Sequence, residues 1–279
     1  MIREFKVENI SRAVAELCVT ANRELPQDVL EALKENRAAE TTELAKDILD
    51  QLIENARLAR EEKLPICQDT GLAVVFIELG RDVHLDGDLY EAVNQGVRQG
   101  YEEGYLRKSA CHPFSRANTG DGAPAIVHLN LVEGDKVRLI VAPKGGGSEN
   151  MSRVYMLAPA AGWEGIRDRI IQTVIEAGPN PCPPTVIGVA IGGNFERAAL
   201  MAKRALLRPL DQPNPDPDLR AKEAEVLEAL RKSGLGPQGL GGRTLTLAVH
   251  IILEPCHIAS LPLAINVQCH AARHKEIVL

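Results

Sequence analysis

Aromatic side chains are scarce: four Phe, four Tyr and one Trp among 279 residues. The core must therefore be filled by Ala, Val, Leu and Ile, and a hydrophobic content of 45% supplies enough of them. Basic residues are outnumbered by acidic ones, 32 against 38, leaving a net charge of −6. That balance excludes a general electrostatic grip on nucleic acid or an acidic membrane surface. No apolar run is long enough to predict a membrane span. The opening MIREFKVENI holds no apolar stretch suited to a signal peptide, so the expected location is cytoplasmic. Internal repeats and low-complexity segments are missing too. No CxxC pair occurs, which removes the usual support for a zinc ribbon or a thioredoxin-like redox site. The six cysteines are scattered, and in a reducing cytosol they stay thiols unless they bind metal or do chemistry.

What is present reads as one α+β domain over residues 1–279. A helical N-terminal region is followed by a mixed, largely antiparallel sheet with flanking helices. In ISRAVAELCVTANREL, Ile10, Val14, Leu17 and Cys18 share one face at helical spacing. PQDVLEALKEN fits a short second helix with Pro26 in its first turn. TTELAKDILDQLIENARLAREE fits a third, with Leu44, Ile48, Leu52 and Ala56 as its apolar stripe. The period then changes. LAVVFIEL (72–79) is a continuous apolar run, the mark of a buried strand. LYEAVNQGVRQGYEEGYL returns to helical spacing. AIVHLNLV and KVRLIVAP, joined by EGDK, predict a hairpin, with Val127, Leu129 and Leu131 on one face of its first strand. WEGIRDRIIQTVIEAG predicts a helix closed by Gly178, and TVIGVAIGG a buried strand leading into the helix NFERAALMAKRALL. PLDQPNPDPDL (209–219) reads as an exposed excursion between strands of one sheet. AKEAEVLEALRKSG fits a surface helix, and TLTLAVHIIL and LAINVQCH late strands.

Three cysteines stand at junctions between elements and loops. Cys67 lies in KLPICQDTG beside Gln68 and Asp69, Cys182 in NPCPPTVIG among prolines, and Cys269 in NVQCHAARH. Prolines stiffen the backbone and remove N–H donors, which suits a sulfur held at a fixed place for a metal. Each cysteine taken alone reads rather as a small hydrophobe in a packed loop, and only the polar neighbours of Cys67 and Cys269 shift the balance a little toward chemistry. Cys18 reads as core, and Cys111 and Cys256 as structural, while His257, next to Cys256, is a candidate site residue. PKGGGSEN (143–150) follows a predicted strand, and its Gly145, Gly146 and Gly147 expose backbone N–H groups where a carboxylate or phosphate could approach. A flexible turn is the other reading. The lysine precedes the glycines, so this is no Walker motif. IGGNFE (191–196) is a similar strand-to-helix turn without the GxGxxG spacing, and SGLGPQGLGGR (233–243) is a third glycine-rich loop. Arg107, Lys108 and Arg116 form a basic cluster, solvated or available to grip a carboxylate.

Taken together and in this order, PICQDTG, PKGGGSEN, NPCPPTVIGVAIGG and EPCHIASLPLAINVQCHAARH resemble the class I, iron–sulfur-dependent fumarate hydratases and the closely related L(+)-tartrate dehydratases. The resemblance covers essentially the whole chain and is to the alpha subunit of the two-subunit form. It implies an oxygen-sensitive [4Fe–4S] cluster on Cys67, Cys182 and Cys269, with one iron left open to act as a Lewis acid. It further implies Asp69 as the acid that protonates a departing hydroxyl, and Gln68, Arg107, Gly145, Gly146, Gly147 and His257 as contacts to a dicarboxylate, fumarate or malate. The base is implied to be a threonine of a separate beta subunit, in a heterotetramer of two alpha and two beta chains. A tartrate dehydratase and a non-catalytic metal-binding module are the alternatives. Neither a nucleic acid nor a membrane partner is expected.

Overall fold

The computed structural model describes residues 2–279. In chain order it begins with β1 (Arg3–Phe5), α1 (Val7–Arg23), α2 (Gln27–Ala39) and α3 (Glu43–Glu61). Then come β2 (Leu72–Gly80), β3 (Val83–Leu85), α4 (Leu89–Glu103), β4 (Ile126–Val132) and β5 (Val137–Lys144). The four-residue α5 (Gly146–Glu149) precedes β6 (Arg153–Leu157), α6 (Gly162–Ala177), β7 (Thr185–Gly193) and α7 (Phe195–Ala205). The chain closes with α8 (Pro217–Arg231), β8 (Thr246–Cys256), β9 (Leu261–Gln268) and β10 (Lys275–Val278). The fold is α+β with mixed sheets. Among the described residues no helix is long and apolar enough to cross a membrane.

The chain forms two compact units. The first takes the N-terminal residues through Pro26, then Ala56–Gly146 and Arg273–Leu279; the second takes Gln27–Asn55 and Gly147–Ala272. Helix α3 thus passes from the second unit to the first after Asn55. Its buried stripe is Ala45, Ile48, Leu49, Ala56 and Ala59, while Leu44 is 55% exposed. Ile48 and Ala56 of the predicted stripe are buried and Leu52 is half-buried, while Leu44 lies at the margin of the arc.

The first unit carries the sheet β10-β5-β2-β4 and the parallel pair β1-β3. β2 is an interior strand, antiparallel to β5 and parallel to β4. The predicted hairpin between β4 and β5 is therefore not formed. Its strands exist, but β2, apolar on both faces, is inserted between them. Residues 133–136 wrap the end of β2 instead of turning tightly: the N–H groups of Gly80, Arg81 and Asp82 donate to the carbonyls of Lys136, Val132 and Gly134. β4 is left at the edge, so Val127 packs on the core while Leu131 is exposed. Helix α1 buries Ile10, Val14, Leu17 and Cys18 as expected. It lies close against α4 because Gly96 and Gly100 have no side chain. A Cβ at Gly96 would stand 2.4 Å from the Ser11 carbonyl oxygen, and one at Gly100 2.6 Å from that of Ala15. One residue further along α4 is the buried Tyr101.

The second unit carries the sheet β6-β9-β7-β8, with β7 parallel to β8 and antiparallel to β9. The strands on either side of the proline-rich excursion do share a sheet, as predicted. The excursion itself is pinned by buried Asn214, whose amide donates to Glu223 and to the Ile251 carbonyl.

His250, on β8, gives this unit a pH-dependent stability. It is 3% exposed. Burial, helped by the nearby Arg208 cation and opposed by the Ala205 carbonyl, Glu223 and Asp28, pushes its pKa from 6.5 down to about 4. As pH falls through that interval, the unfolded chain takes up a proton that the folded chain refuses, so stability drops; below it both states are protonated and the loss stops. The expected loss is roughly 3 kcal/mol. Urea midpoints measured across the interval should fall for the native chain and flatten in His250→Asn. A native chain with no change there would show that His250 is not held neutral.

Candidate functional site

In the first unit, sheet register brings two sequence motifs together. Leu72 of β2 pairs with Lys144 of β5, so the turn Cys67–Gly71 and the glycine run after Lys144 emerge at the same sheet end. Gly71 is needed there: its φ is +73°, and a Cβ would lie 2.6 Å from the Lys144 carbonyl carbon. Gly71→Ala is expected to cost about 2–4 kcal/mol in urea unfolding, from the left-handed backbone and the overlap. An unchanged midpoint would contradict this close approach.

The half-buried Asp69 carboxylate is gripped from both sides. Its Oδ1 accepts the Gly71 N–H at 3.0 Å and its Oδ2 the Gly146 N–H at 2.8 Å. Gly145 lies so close that a Cβ there would stand 3.0 Å from Oδ2. The Gly146 donor, read from sequence as a contact for a bound anion, is engaged here by the chain's own carboxylate. The Asp69 N–H points at Cys67 Sγ, 3.4 Å away, and that thiol faces Gln68 Oε1 at 3.2 Å. Gln68 is exposed and Cys67 half-buried.

Three further residues fix the turn. Thr70 Oγ1 donates to the Arg107 carbonyl at 3.0 Å, which ties the exposed Arg107 to the turn through its backbone. Tyr101 Oη donates to the Gly71 carbonyl at 2.8 Å, and burial pushes this phenol's pKa far up, so it stays a donor. Arg273 Nη2 donates to the Asp69 carbonyl at 2.6 Å. Sequence reasoning singled out neither Tyr101 nor Arg273. Tyr101 had one available signal, its place four residues after Val97 on the apolar face of α4.

In the second unit the register again decides what meets. Val186 of β7 pairs with Gln268 of β9, so Cys182, just before β7, and Cys269, just after β9, stand at one sheet end. The His270 backbone N–H and Nδ1 both reach the Cys182 carbonyl, at 3.2 and 3.1 Å. Cys182 is exposed and has φ +55°, a conformation that costs a non-glycine residue energy. Gly147 belongs to this unit and lies beside the Asn180 carbonyl in the same loop. His257 is placed elsewhere. It follows β8, whose Cys256 pairs with Gly193 at the far end of β7. Seven strand steps, roughly 23 Å, separate that end from Val186 and the two cysteines. His257 is exposed, with Nδ1 accepting the Ala259 N–H at 3.1 Å.

None of the six cysteines is disulfide-bonded. Among the described residues no three His, Cys, Asp or Glu side chains gather around a single metal-ion position. Two features fit an iron–sulfur group. Cys67, Cys182 and Cys269 are thiols at element ends, and Cys67 Sγ accepts the Asp69 N–H. Arg273 also carries buried N–H groups, Nε and Nη1, that meet no acceptor among the described residues.

Residues 11–278 match the family described as Fumarate hydratase (Fumerase). A protein of Methanocaldococcus jannaschii named "Putative L(+)-tartrate dehydratase subunit alpha" is 39% identical over 271 residues, covering 95% of both chains. The L(+)-tartrate dehydratase subunit alpha of Escherichia coli strain UTI89 is 31% identical over 96% of this chain and 89% of its own. That of strain K12 is 30% identical over 98% and 91%. With the family matched from near the first residue to near the last, and the Asp69 turn and the Cys182–Cys269 sheet end both built, the chain belongs to the fumarate hydratase (fumerase) family of hydro-lyases.

Proposed function

We propose that this chain is the alpha subunit of a [4Fe–4S]-dependent hydro-lyase that reversibly hydrates fumarate to (S)-malate together with a beta subunit. The observation that carries the reading is the Asp69 carboxylate, clamped by two backbone N–H groups two residues from Cys67. Cys67, Cys182 and Cys269 supply the three thiolates. Held by them, the cluster would supply Lewis acidity toward the substrate. In dehydration Asp69 gives its proton to the departing hydroxyl, so that water leaves; in hydration it takes that proton back. Gln68 hydrogen-bonds the substrate from its exposed position beside Asp69. Arg107 pairs with a substrate carboxylate through its planar fork. The proton on carbon is taken by a group of the beta subunit, two alpha chains joining two beta chains. The relatives' designation as subunit alpha supports such a partner.

A second reading, dehydration of L(+)-tartrate to oxaloacetate, is favoured by the names of those relatives. The two substrates differ by one hydroxyl. Anaerobic co-purification with the beta subunit, followed by assays on fumarate, malate and L(+)-tartrate, separates them. The native complex should be brown and contain iron and sulfide, and Cys182→Ser should lose colour, iron and turnover together. A colourless, iron-free complex that still hydrates fumarate would remove the cluster from the mechanism.

A further inference from the structure

Arg273 has no role in the reading above. It opens the chain's final return to the first unit and is 4% exposed. One of its donors, Nη2, is fixed on the Asp69 carbonyl at 2.6 Å. The others, Nε and Nη1, are buried and meet no acceptor among the described residues. A guanidinium stays charged even when buried. Leaving its donors unmade is unfavourable, whereas an apolar side chain of similar length would fill the space without that penalty. The donors therefore serve an acceptor that the described residues do not provide. A cationic planar fork selects an anion. The place is the Cys67–Gly71 turn, because the same guanidinium is anchored to it.

We infer that Arg273 is a positioning residue of this site: it locks the Cys67–Gly71 turn through the Asp69 carbonyl and holds Nε and Nη1 for an anionic group received at that turn. The inference rests on the proposed function in so far as that function puts an anion there. Two sources share the required chemistry, a carboxylate of the substrate and a sulfur of the cluster, since both accept N–H donors.

The test uses the anaerobic complex of both subunits with Arg273→Met, which removes charge and donors, and Arg273→Lys, which keeps the charge but not the fork. Three quantities are read: amide hydrogen exchange of the peptide spanning Cys67–Gly71, kcat and KM, and the lifetime of the visible absorption in air. In Arg273→Met, exchange at the turn should quicken and kcat fall, each by about tenfold or more, with partial recovery in Arg273→Lys. A carboxylate as the anion raises KM and leaves the absorption lifetime unchanged. A cluster sulfur shortens the lifetime and leaves KM unchanged. If Arg273→Met does not fold, Arg273→Lys is judged on the same three readings. Native exchange, kcat, KM and lifetime in the folded variants would overturn the inference. A native complex that binds no iron and turns over no dicarboxylate overturns the proposed function instead; exchange at the turn then still decides whether Arg273 locks it.

Discussion

Asp69→Asn is expected to lower kcat of the assembled hydro-lyase by about 10²- to 10⁴-fold, with a much smaller change in KM. The size follows from what the group is asked to do. Hydroxide is a poor leaving group, and a positioned acid lowers the barrier by delivering a proton as the C–O bond breaks. An amide of the same shape cannot deliver it. The substitution also disturbs the clamp. Asp69 presents two oxygens to two backbone donors, Gly71 N–H and Gly146 N–H. Asparagine has one oxygen, so one of these donors would face an NH₂ group. Loss of turnover with retained iron, sulfide and colour would locate the effect in proton transfer. Near-native turnover would dismiss Asp69 as the acid, whatever the state of the cluster.

The elements legible in the sequence were those whose burial follows their own periodicity. The α1 stripe of Ile10, Val14, Leu17 and Cys18 is buried because one helix face meets one core. β2 and β7, apolar on both faces, are interior strands for the same reason. Pairing was less legible. The apolar alternation and short spacer of residues 125–143 fit a hairpin locally, but β2 competes for both partners and wins by burying both of its faces. In α3 the spacing places Ile48 and Ala56 in the core as predicted, and of the predicted stripe only Leu44, at the margin of the buried arc, is exposed.

Site motifs were legible as separate pieces. Cys67–Gly71 and Gly145–Gly147 stood out by composition, yet their junction at Asp69 and Gly146 comes from the β2–β5 register. His257 and Cys269 are close in sequence, and an eight-residue strand, β9, carries them to opposite ends of a sheet. Tyr101 and Arg273 act on the turn from 30 and 204 residues away, through carbonyl oxygens that no side-chain pattern encodes.

Glu40 shows the same long-range logic in a purely structural setting, and Glu40→Ala is expected to destabilise the second unit by about 3–5 kcal/mol. This carboxylate is 4% exposed at the junction of α2 and α3. It accepts the Thr41 N–H at 2.9 Å, the Arg243 N–H at 2.9 and 3.0 Å, and the Thr244 N–H at 2.9 Å. Burial alone would push its pKa up, but the backbone donors of Arg243, Thr41 and Thr244 outweigh it and hold the group below its ordinary value of 4.5. Alanine leaves those donors buried with nothing to accept them, and it frees the segment that leads into β8. Glutamine keeps the volume but turns one acceptor into an NH₂ group, so its cost should be smaller than that of alanine. The linkage has a definite sign. A depressed carboxylate stabilises the fold above its unfolded pKa, and that contribution is lost as pH falls through the lower folded value. Urea midpoints at neutral pH should therefore rank native above Glu40→Gln above Glu40→Ala. The gap between native and Glu40→Gln should narrow on acidification below about pH 4.5. A gap that does not change with pH would mean that the charge on Glu40 contributes nothing, and that its effect is one of shape alone.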